Sequence, residues 1–441
     1  MRVTKISRLF VLFISNFILV LAGIAQQMSE KVGSNKNVGK QAAIQDKLMS
    51  DTFIHNLLGK YPRFFDSIVL QREKLGIQII YTRIDRSKRG KPQFADFFYG
   101  NDNNRYFYPA STVKLPVAIL ALQKLNELRI SGLDQNTTMI TEAGGGRQTS
   151  VINDPSAPDG RPTIAHYIKK ILLVSDNDAF NRLYEFLGQE YINNTLHGMG
   201  YMNAQIIHRL EISLPEEENR YTNPVKFLDS AGGVVYEKAA EKSRLVYAPR
   251  DTKMGKGFYR GGQLINEPFD FSIKNRLTLE ELHSIVRSII FPGAVPEKMR
   301  FNLTEDDYIF LRKYMSMMPY ESVSPLYDTT NYWDTYVKFL YYGSEKGKAE
   351  KGIRIFNKPG DAYGFMIDAA YIADFDNNIE FFLSAVIHCN NDEIFNDDKY
   401  EYSAIGLPFM KNLGRVIYEY ERTRVRKYQP VLSSMFFDYS H

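Results

Sequence analysis

The chain has 441 residues, more than one hydrophobic core usually needs, because single cores stop growing near about 250–300 residues. We therefore expect two domains, or one domain with a large insertion. A charged fraction of 24% is ordinary for a globular protein. The formal net charge is only +4, and no basic stripe is interleaved with aromatic residues, so nucleic acid is excluded as an expected partner.

The N-terminus has the pattern of an export signal. Basic residues precede an apolar run from Leu9 to Ala25, which ends in small residues before Gln26. We predict a cleaved signal peptide at residues 1–25 and a polar linker at residues 26–50. An uncleaved membrane anchor is the alternative, since the run is at the lower length limit for a span. The expected location is the periplasm, with membrane tethering if the signal is retained.

Helical and strand patterns follow one another without regular alternation. Apolar residues recur at helical spacing from Asp51 to Lys74, and Ile77–Tyr81 and Phe94–Tyr99 have the character of paired strands. The later expected helices are one opened by Ser111 and ending near Gly132, one capped by Thr163 and broken at Ser175, one ending at Gly188, two at 277–291 and 304–318, and a final one at Ser403–Arg422. Two paired strands are expected at Phe365–Phe375 and Ile379–Cys389, joined by a turn at Asp376-Asn377-Asn378. This order predicts an α+β fold, or α/β with an antiparallel sheet, rather than a doubly wound parallel sheet.

The most informative motif is Ser111-Thr112-Val113-Lys114. A serine three residues before a lysine, at the start of a helix, places hydroxyl and amine on one face about one turn apart. Such an amine can serve as the base for the alcohol without a histidine. Pro116 follows in the same turn and lacks the N–H that would bond to the Thr112 carbonyl, so we expect this turn to be distorted. The motif predicts a serine acyl-transfer enzyme.

Two further motifs follow in the chain. Ser175-Asp176-Asn177 lies between two predicted helices, where the simpler role of Asp176 is to cap the second helix. Lys358-Pro359-Gly360 comes just before a predicted strand. The tripeptide pattern alone is weak, because Lys88-Arg89-Gly90 and Lys253-Met254-Gly255 share it. Its position next to a strand makes Lys358-Pro359-Gly360 the preferred third motif.

The order, spacing and flanks of these motifs resemble the class A β-lactamases and the related penicillin-binding serine hydrolases, which carry Ser-x-x-Lys, Ser-Asp-Asn and Lys-Thr-Gly in that order. The resemblance covers most of residues 51–425. It implies a β-lactamase/transpeptidase-like fold, with an antiparallel sheet packed by N- and C-terminal helices and an all-helical subdomain. It also implies that the protein reacts through an acyl-enzyme.

The resemblance implies a role for each matching residue. Ser111 is expected to be the nucleophile and Lys114 its base, since burial beside another cation lowers the pKa of a lysine. Ser175 is expected to relay a proton to the leaving nitrogen.

The remaining matching residues are expected to bind substrate. Asn177 would orient the substrate side chain and the lysine base, and Lys358 would face a substrate carboxylate. Gly360 completes the third motif. The backbone N–H groups of Ser111 and Asp361 would form the oxyanion hole, where one donor is typically worth about 3–4 kcal/mol in the transition state.

A glutamate separates β-lactamases from peptidases in this family. Arg209-Leu210-Glu211 occurs after the second motif in the expected context, which implies that Glu211 holds the deacylating water. A solvated acidic loop is the alternative, because Glu216-Glu217-Glu218 lies close by. The asparagine that usually shares this water is missing from residues 213–215, so deacylation is expected to be slow.

Two departures from the family bear on the substrate. Pro359 replaces Thr or Ser and offers neither a hydroxyl nor an N–H. A lost bond to a charged group costs about 1.5–3 kcal/mol, and Asp361 adds negative charge, so affinity for ordinary penicillins should suffer. Residues 215–275 form an expected insertion within a hydrolase domain at 51–441. It lies either at the cleft rim, where it would shape substrate choice, or away from the site.

No metal or cofactor is expected. The seven histidines show no metal-ligand spacing, and no phosphate-binding or dinucleotide-binding loop occurs. The single cysteine, Cys389, is expected to be a small core residue.

Three functions compete. The first is a β-lactamase, and the second a penicillin-binding-protein-like peptidase, amidase or esterase acting on cell-wall peptide, with weak or no β-lactamase activity. The third is a non-catalytic binding protein on the same fold. The intact Ser111, Lys114, Ser175 and Asn177 argue against the third, and Pro359 favours the second. The sequence leaves the oligomeric state open.

Overall fold

A computed structural model describes residues 51–144 and 149–439. The predicted signal peptide and linker lie outside the described residues. Helices and antiparallel sheets are combined in one chain, which confirms the predicted α+β class. No helix among the described residues is both long enough and apolar enough to cross a bilayer.

The helices carry the following labels, after a helical stretch at residues 51–59. They are α1 Pro62–Leu70, α2 Lys114–Leu128, α3 Ile164–Val174, α4 Asn177–Met199, α5 Glu216–Asn219, α6 Leu279–Ile290, α7 Glu305–Ser316 and α8 Leu407–Thr423. The strands are β1 Gln78–Arg86, β2 Pro92–Tyr99, β3 Thr138–Thr141, β4 Val225–Leu228, β5 Val234–Lys238, β6 Lys253–Met254, β7 Gly257–Arg260, β8 Gln263–Ile265, β9 Phe269–Asp270, β10 Ile353–Asn357, β11 Gly360–Ala362, β12 Phe365–Asp374, β13 Ile379–His388 and β14 Ile394–Phe395.

The main sheet has the strand order β10-β12-β13-β1-β2, and the short β11 also pairs with β12. Strands β12 and β13 form the predicted hairpin, with Asp374 opposite Ile379. The Asp374 carboxylate accepts hydrogen bonds from the backbone N–H groups of Asp376 and Asn377, at 2.9 and 3.0 Å. The turn is therefore held by its own aspartate, as short polar side chains commonly do.

Helices cover both faces of this hairpin. His283 of α6 bonds to Ser384 and packs against Phe382 with the two rings tilted. The neighbouring Phe381 packs against Tyr81, which in turn packs on α8 through Tyr420. Successive strand residues point to opposite faces. Because both faces are covered, β12 is buried along its whole length, which explains its continuous apolar sequence.

A layer of three helices carries the first two motifs. Helix α2 packs against α3 and α4, and every residue from Lys114 to Gln123 is buried. A helix that is buried on all sides is a core helix. Its position fixes the first motif rigidly between the helical layer and the sheet.

The distortion expected near Pro116 is confirmed. A 3₁₀ turn at Ala110–Val113 precedes α2, and the Thr112 N–H bonds to the Pro109 carbonyl at 3.0 Å. Helix α2 proper begins at Lys114, so Pro116 lies in its first turn. The N–H groups of a first turn have no partner within their helix, so proline loses little there.

The predicted helix end at Gly188 is confirmed as a break in the helix, and a second helical stretch follows it directly and ends at Met199. Gly188 does leave the helical conformation, with φ 74° and ψ 156°, values that favour glycine. Beyond it, Ile192 and Leu196 are fully buried. Tertiary packing therefore carries the helix across a local break.

Candidate active site

The third motif approaches the nucleophile at a glycine. Strand β11 packs against the 3₁₀ turn that carries Ser111. A Cβ atom on Gly360 would lie 2.7 Å from the Ser111 backbone nitrogen and 2.9 Å from that of Thr112. Only a residue without a side chain fits such a contact. The sheet edge and the helical layer therefore meet at Ser111.

Lys114 links the first motif to the second. Its Nζ lies 2.9 Å from Ser111 Oγ, 2.6 Å from Asn177 Oδ1 and 3.2 Å from Ser175 Oγ, and it also bonds to the Ser175 carbonyl. The Lys114 side chain has no exposed surface. The structure thus brings the predicted nucleophile, base and both side chains of the second motif into one hydrogen-bonded cluster.

Burial lowers the pKa of Lys114 to about 7, against the opposing effect of Asp176, Asp361 and Glu211. Transferring an ammonium group out of water disfavours its charged form. A substantial fraction of this amine is therefore neutral near pH 7 and able to accept a proton. Burial, rather than the neighbouring cation that we expected, is the cause for Lys114.

The expected cation effect appears at Lys358 instead. Burial lowers the pKa of Lys358 well below its usual value, and the charge of Lys114 lowers it further. Lys358 donates to Ser175 Oγ at 2.7 Å and to the Pro359 carbonyl at 2.8 Å. Its side chain is fully buried, and its predicted contact with a substrate stays a prediction.

Backbone geometry holds the second motif in place. Helix α3 ends at Ser175, which adopts a left-handed conformation with φ 62°. This turn leaves its hydroxyl between the two lysines. Asp176 accepts a hydrogen bond from the Ala179 N–H at 2.7 Å and so caps α4, as the simpler explanation of the sequence predicted.

Glu211 lies next to the second motif. Asn177 Nδ2 donates to Glu211 Oε2 at 2.7 Å, so Asn177 bridges Lys114 and Glu211. The Glu211 side chain is exposed, and its backbone has a φ of 62°. The structure thus brings Glu211 to the cluster, and its action on water stays a prediction.

Buried polar residues anchor the loop that carries Glu211. The Arg209 guanidinium pairs with the Glu185 carboxylate at 2.6 Å, and both side chains are buried. Asn181 exchanges two 3.0 Å hydrogen bonds with the backbone of Leu210. Asn219 accepts from the Arg209 N–H at 3.1 Å and donates to the Leu214 carbonyl at 3.1 Å. Asn219 therefore fastens the loop.

Two adjoining cavities, of about 390 and 360 Å³, form a cleft at Ser111. Both are lined by Ser111, Asn177, Asp361 and Tyr402. Sequence reasoning missed most of the remaining walls, which are rich in tyrosine and come from distant segments. They include Tyr108, Tyr336, Tyr363, Tyr400, Asn396 and Asp398. The one available sign was the run of Asp, Asn and Tyr residues between Asn390 and Tyr402.

Part of the expected insertion reaches this cleft indirectly. Strand β7 pairs in parallel with β14, and Phe395 of β14 packs against Phe269 and Phe271. The segment that follows β14 lines the cleft through Asn396 and Asp398. The β4–β5 hairpin instead extends a separate sheet from β3. An effect of the insertion on substrate choice stays a prediction.

A buried polar network lies behind the third motif. Asp368 accepts hydrogen bonds from Asn357 and from the Leu340 N–H, and burial raises its pKa to about 6. Lys338 donates to Asn357 Oδ1 at 2.9 Å, and burial lowers its pKa to about 7. Ionisable groups that are buried away from water therefore lie behind the segment that carries Lys358.

The histidine, cysteine and acidic side chains of the described residues are arranged as follows. Residues 51–144 and 149–439 contain no group of three or more His, Cys, Asp or Glu side chains arranged to hold a metal ion. Cys389 is buried and unpaired, and burial raises the pKa of its thiol to about 12. It is a core residue, as expected.

Comparison with known proteins supports the resemblance. Residues 95–244 match the model of the Beta-lactamase enzyme family. No curated protein matches the chain. Similar solved structures include the class A β-lactamase of Clostridium kluyveri DSM 555, with 15% identity, a TM-score of 0.43 and coverage of 81% of this chain and 98% of that one.

Two further solved structures are similar. The β-lactamase of Xanthomonas campestris pv. campestris has 12% identity and a TM-score of 0.45, with 83% of this chain and 98% of that chain covered. The structure of PBP-A has 15% identity and a TM-score of 0.42, with 78% and 90% covered. The family match over residues 95–244, which contain Ser111, Lys114, Ser175 and Glu211, is what confirms the motif-based resemblance to the β-lactamase and penicillin-binding serine hydrolase family.

Proposed function

We propose that this protein is an exported serine hydrolase of the class A β-lactamase type. Ser111 is acylated by a β-lactam or a related amide, and water then releases the acyl group. The observation that carries this proposal is the 2.9 Å approach of Lys114 Nζ to Ser111 Oγ, in a setting that lowers the lysine pKa to about 7. Export is proposed from the sequence pattern of residues 1–25.

In the proposed acylation, neutral Lys114 takes the Ser111 proton while Oγ attacks the substrate carbonyl. The resulting oxyanion is held by the backbone N–H groups of Ser111 and Asp361. The C–N bond then breaks, the Ser175 hydroxyl passes a proton to the leaving nitrogen, and Lys114, 3.2 Å from Ser175 Oγ, gives the proton it took from Ser111 to the Ser175 oxygen. Lys358, 2.7 Å from Ser175 Oγ, supports this relay by stabilising negative charge on that oxygen.

In the proposed deacylation, Glu211 removes a proton from water as the water attacks the acyl carbonyl. Asn177, bonded to both Lys114 and Glu211, positions the carboxylate beside the acylated serine. The Ser111 oxygen takes up the proton that Glu211 removed from water as the acid is released. Atoms and charge then balance, and the free enzyme is restored.

Peptidase, amidase or esterase activity on cell-wall peptide is the second candidate. It is favoured by Pro359, which lines the cleft where the family has a hydroxyl, and which cannot donate to a substrate carboxylate. A non-catalytic binding protein is the third candidate, and the hydrogen-bonded cluster at Ser111 argues against it.

Intact mass spectrometry separates these candidates. The purified protein is mixed with a penicillin, and separately with an activated ester, and sampled over time. A transient adduct that is absent in Ser111→Ala supports the β-lactamase, whereas a long-lived adduct supports the peptidase-like candidate. If neither reagent modifies Ser111 at any concentration, the proposed acyl-enzyme chemistry is wrong.

A further inference from the structure

The walls of the cleft carry negative charge only. Three acidic side chains line its two cavities, namely Glu211, Asp361 and Asp398. Among the described lining residues there is no Lys, Arg or His. An anionic substrate group would therefore meet like charges in a partly enclosed space, where such repulsion is stronger than in open water.

The two lysines of the motifs act on this charge from behind the cleft surface. Lys114 and Lys358 have no exposed surface, burial lowers both pKa values, and their charges lower the pKa of Asp361. Their amine groups bond to Ser111, Ser175, Asn177 and backbone carbonyls, so neither amine is free for a substrate. Pro359, next to Lys358 in the chain, lines the cleft and has no donor.

Asp361 is the charged group that both cavities share. Its carboxylate makes no hydrogen bond or ion pair with any residue in the described part of the chain. Its side chain is exposed to solvent in the cleft, and desolvation raises its pKa against the opposing charges of Lys358 and Lys114. A cation that enters the cleft would favour the charged form of this carboxylate.

Aromatic rings stand in the same cavity. Tyr108, Tyr363, Tyr400 and Tyr402 line it together with Asp361, and Tyr108 and Tyr363 pack edge to face at 5.0 Å. The face of an aromatic ring attracts cations through its quadrupole. Lys274 already lies over the Tyr363 ring, 5.9 Å from its centroid, so this wall of the cleft accommodates a cation, and carboxylates beside tyrosine rings form a setting that suits an ammonium or guanidinium group.

We infer that the cleft selects an acyl donor with a cationic group near the scissile bond, and that Asp361 is the specificity-determining residue that pairs with this group. The inference rests on the proposed acylation of Ser111. It narrows the proposed substrates to β-lactams, amides or esters with a cationic group near the scissile bond, and it predicts discrimination against those that carry a carboxylate there, ordinary penicillins included.

Three matched esters test the inference. The probes are p-nitrophenyl phenylacetates with a para trimethylammonium, tert-butyl or carboxylate group, of which the first two have nearly the same shape. Values of kcat/KM are divided by the uncatalysed hydrolysis rate of each ester. We expect the cationic ester to exceed its neutral isostere about tenfold or more, and the carboxylate ester to be the slowest. Added salt should reduce the preference.

Asp361→Asn should reduce the ratio between cationic and neutral esters to within about threefold of unity. Asp66→Asn, on an exposed position of α1, is the matched control and should keep the ratio of the unaltered protein. The inference is overturned if the carboxylate ester is preferred, if charge has no effect, or if Asp361→Asn keeps the full preference. If no ester acylates Ser111 by intact mass, the proposed function itself fails.

Discussion

Lys114 has more acceptors around it than protons to donate. Four oxygen atoms lie within hydrogen-bond reach of its Nζ, and an ammonium group has three protons. The Ser175 carbonyl and Asn177 Oδ1 can only accept. A neutral amine satisfies both with its two protons and leaves its lone pair for the Ser111 hydroxyl. The contacts of this residue therefore suit a base better than a charged donor.

We predict that acylation by an uncharged ester becomes faster as pH rises through about 7, the pKa to which burial lowers Lys114. Deprotonation in this range produces the neutral base. Lys114→Met should slow acylation by about 10²–10⁴-fold, the usual contribution of a positioned base. Stopped-flow release of nitrophenol measures the rate, with Lys60→Met, at an exposed position, as the control. A pH-independent rate between about 5.5 and 9 would contradict the assignment.

Glu211→Gln separates the two halves of the reaction. Acylation should proceed, because Glu211 does not contact Ser111 or Lys114 by hydrogen bonds, whereas deacylation should slow about a hundredfold or more. Time-resolved intact mass spectra would then show an accumulated adduct. Glu217→Gln, which alters a neighbouring carboxylate paired with Lys242, is the control. If turnover is equal in both variants, another group activates the water.

At the residue scale, the sequence predicted the motif residues better than the cleft walls. Ser111 and Lys114 follow a local helical spacing, so their meeting could be foreseen. No local spacing connects Tyr108, Tyr363 and Tyr402, which meet only because the sheet and the segment after β14 are folded together. The burial of Lys358 behind Pro359 likewise depends on packing that the tripeptide does not encode.

At the element scale, apolar periodicity predicted most helices and strands, since it reports which face is buried. The break at Gly188 was predicted correctly, whereas the helical stretch beyond it was not, because the burial of Ile192 and Leu196 depends on distant partners. Turns were predicted more reliably from their residue types than helix ends were from periodicity. Asp376-Asn377-Asn378 joins β12 to β13 as expected, with Asn378 in a left-handed conformation.

The junction between β11 and the 3₁₀ turn gives a prediction about packing. Gly360→Ala places a methyl group 2.7 Å from the Ser111 nitrogen, so the strand and turn must separate. We expect a stability loss of about 1–3 kcal/mol and a larger relative loss of acylation, because the oxyanion donors move apart. Gly347→Ala, where the new methyl group would meet no atom within 4 Å, is the control. Unchanged acylation in Gly360→Ala would show that this contact does not position the site.

At the scale of the whole molecule, the site combines several ionisable groups buried together. Burial raises the pKa of Asp368 to about 6 and lowers those of Lys114 and Lys338 to about 7. Each shift means that the folded protein disfavours the charged form. For Asp368, stability falls as pH rises from about 4 to 6, because the folded state then binds more protons than the unfolded chain. Lys114 and Lys338 have the opposite effect at higher pH, where stability rises with pH because the unfolded chain binds more protons.

Unfolding between about pH 7 and 9 returns Lys114 and Lys338 to water, where each binds a proton, since the ordinary lysine pKa is 10.5. The free energy of unfolding should therefore rise with pH in this window, by up to about 1.4 kcal/mol per pH unit for each lysine. Denaturant titrations at fixed pH values measure this slope.

Lys338→Met should reduce the slope of the unfolding free energy against pH by the contribution of one lysine. If Lys338→Met does not fold, Lys114→Met provides the same test. Lys298→Met, at an exposed position, should keep the full slope. A slope that both core variants leave unchanged would mean that these amines stay charged in the folded protein, and Lys114 could then not act as the base for Ser111.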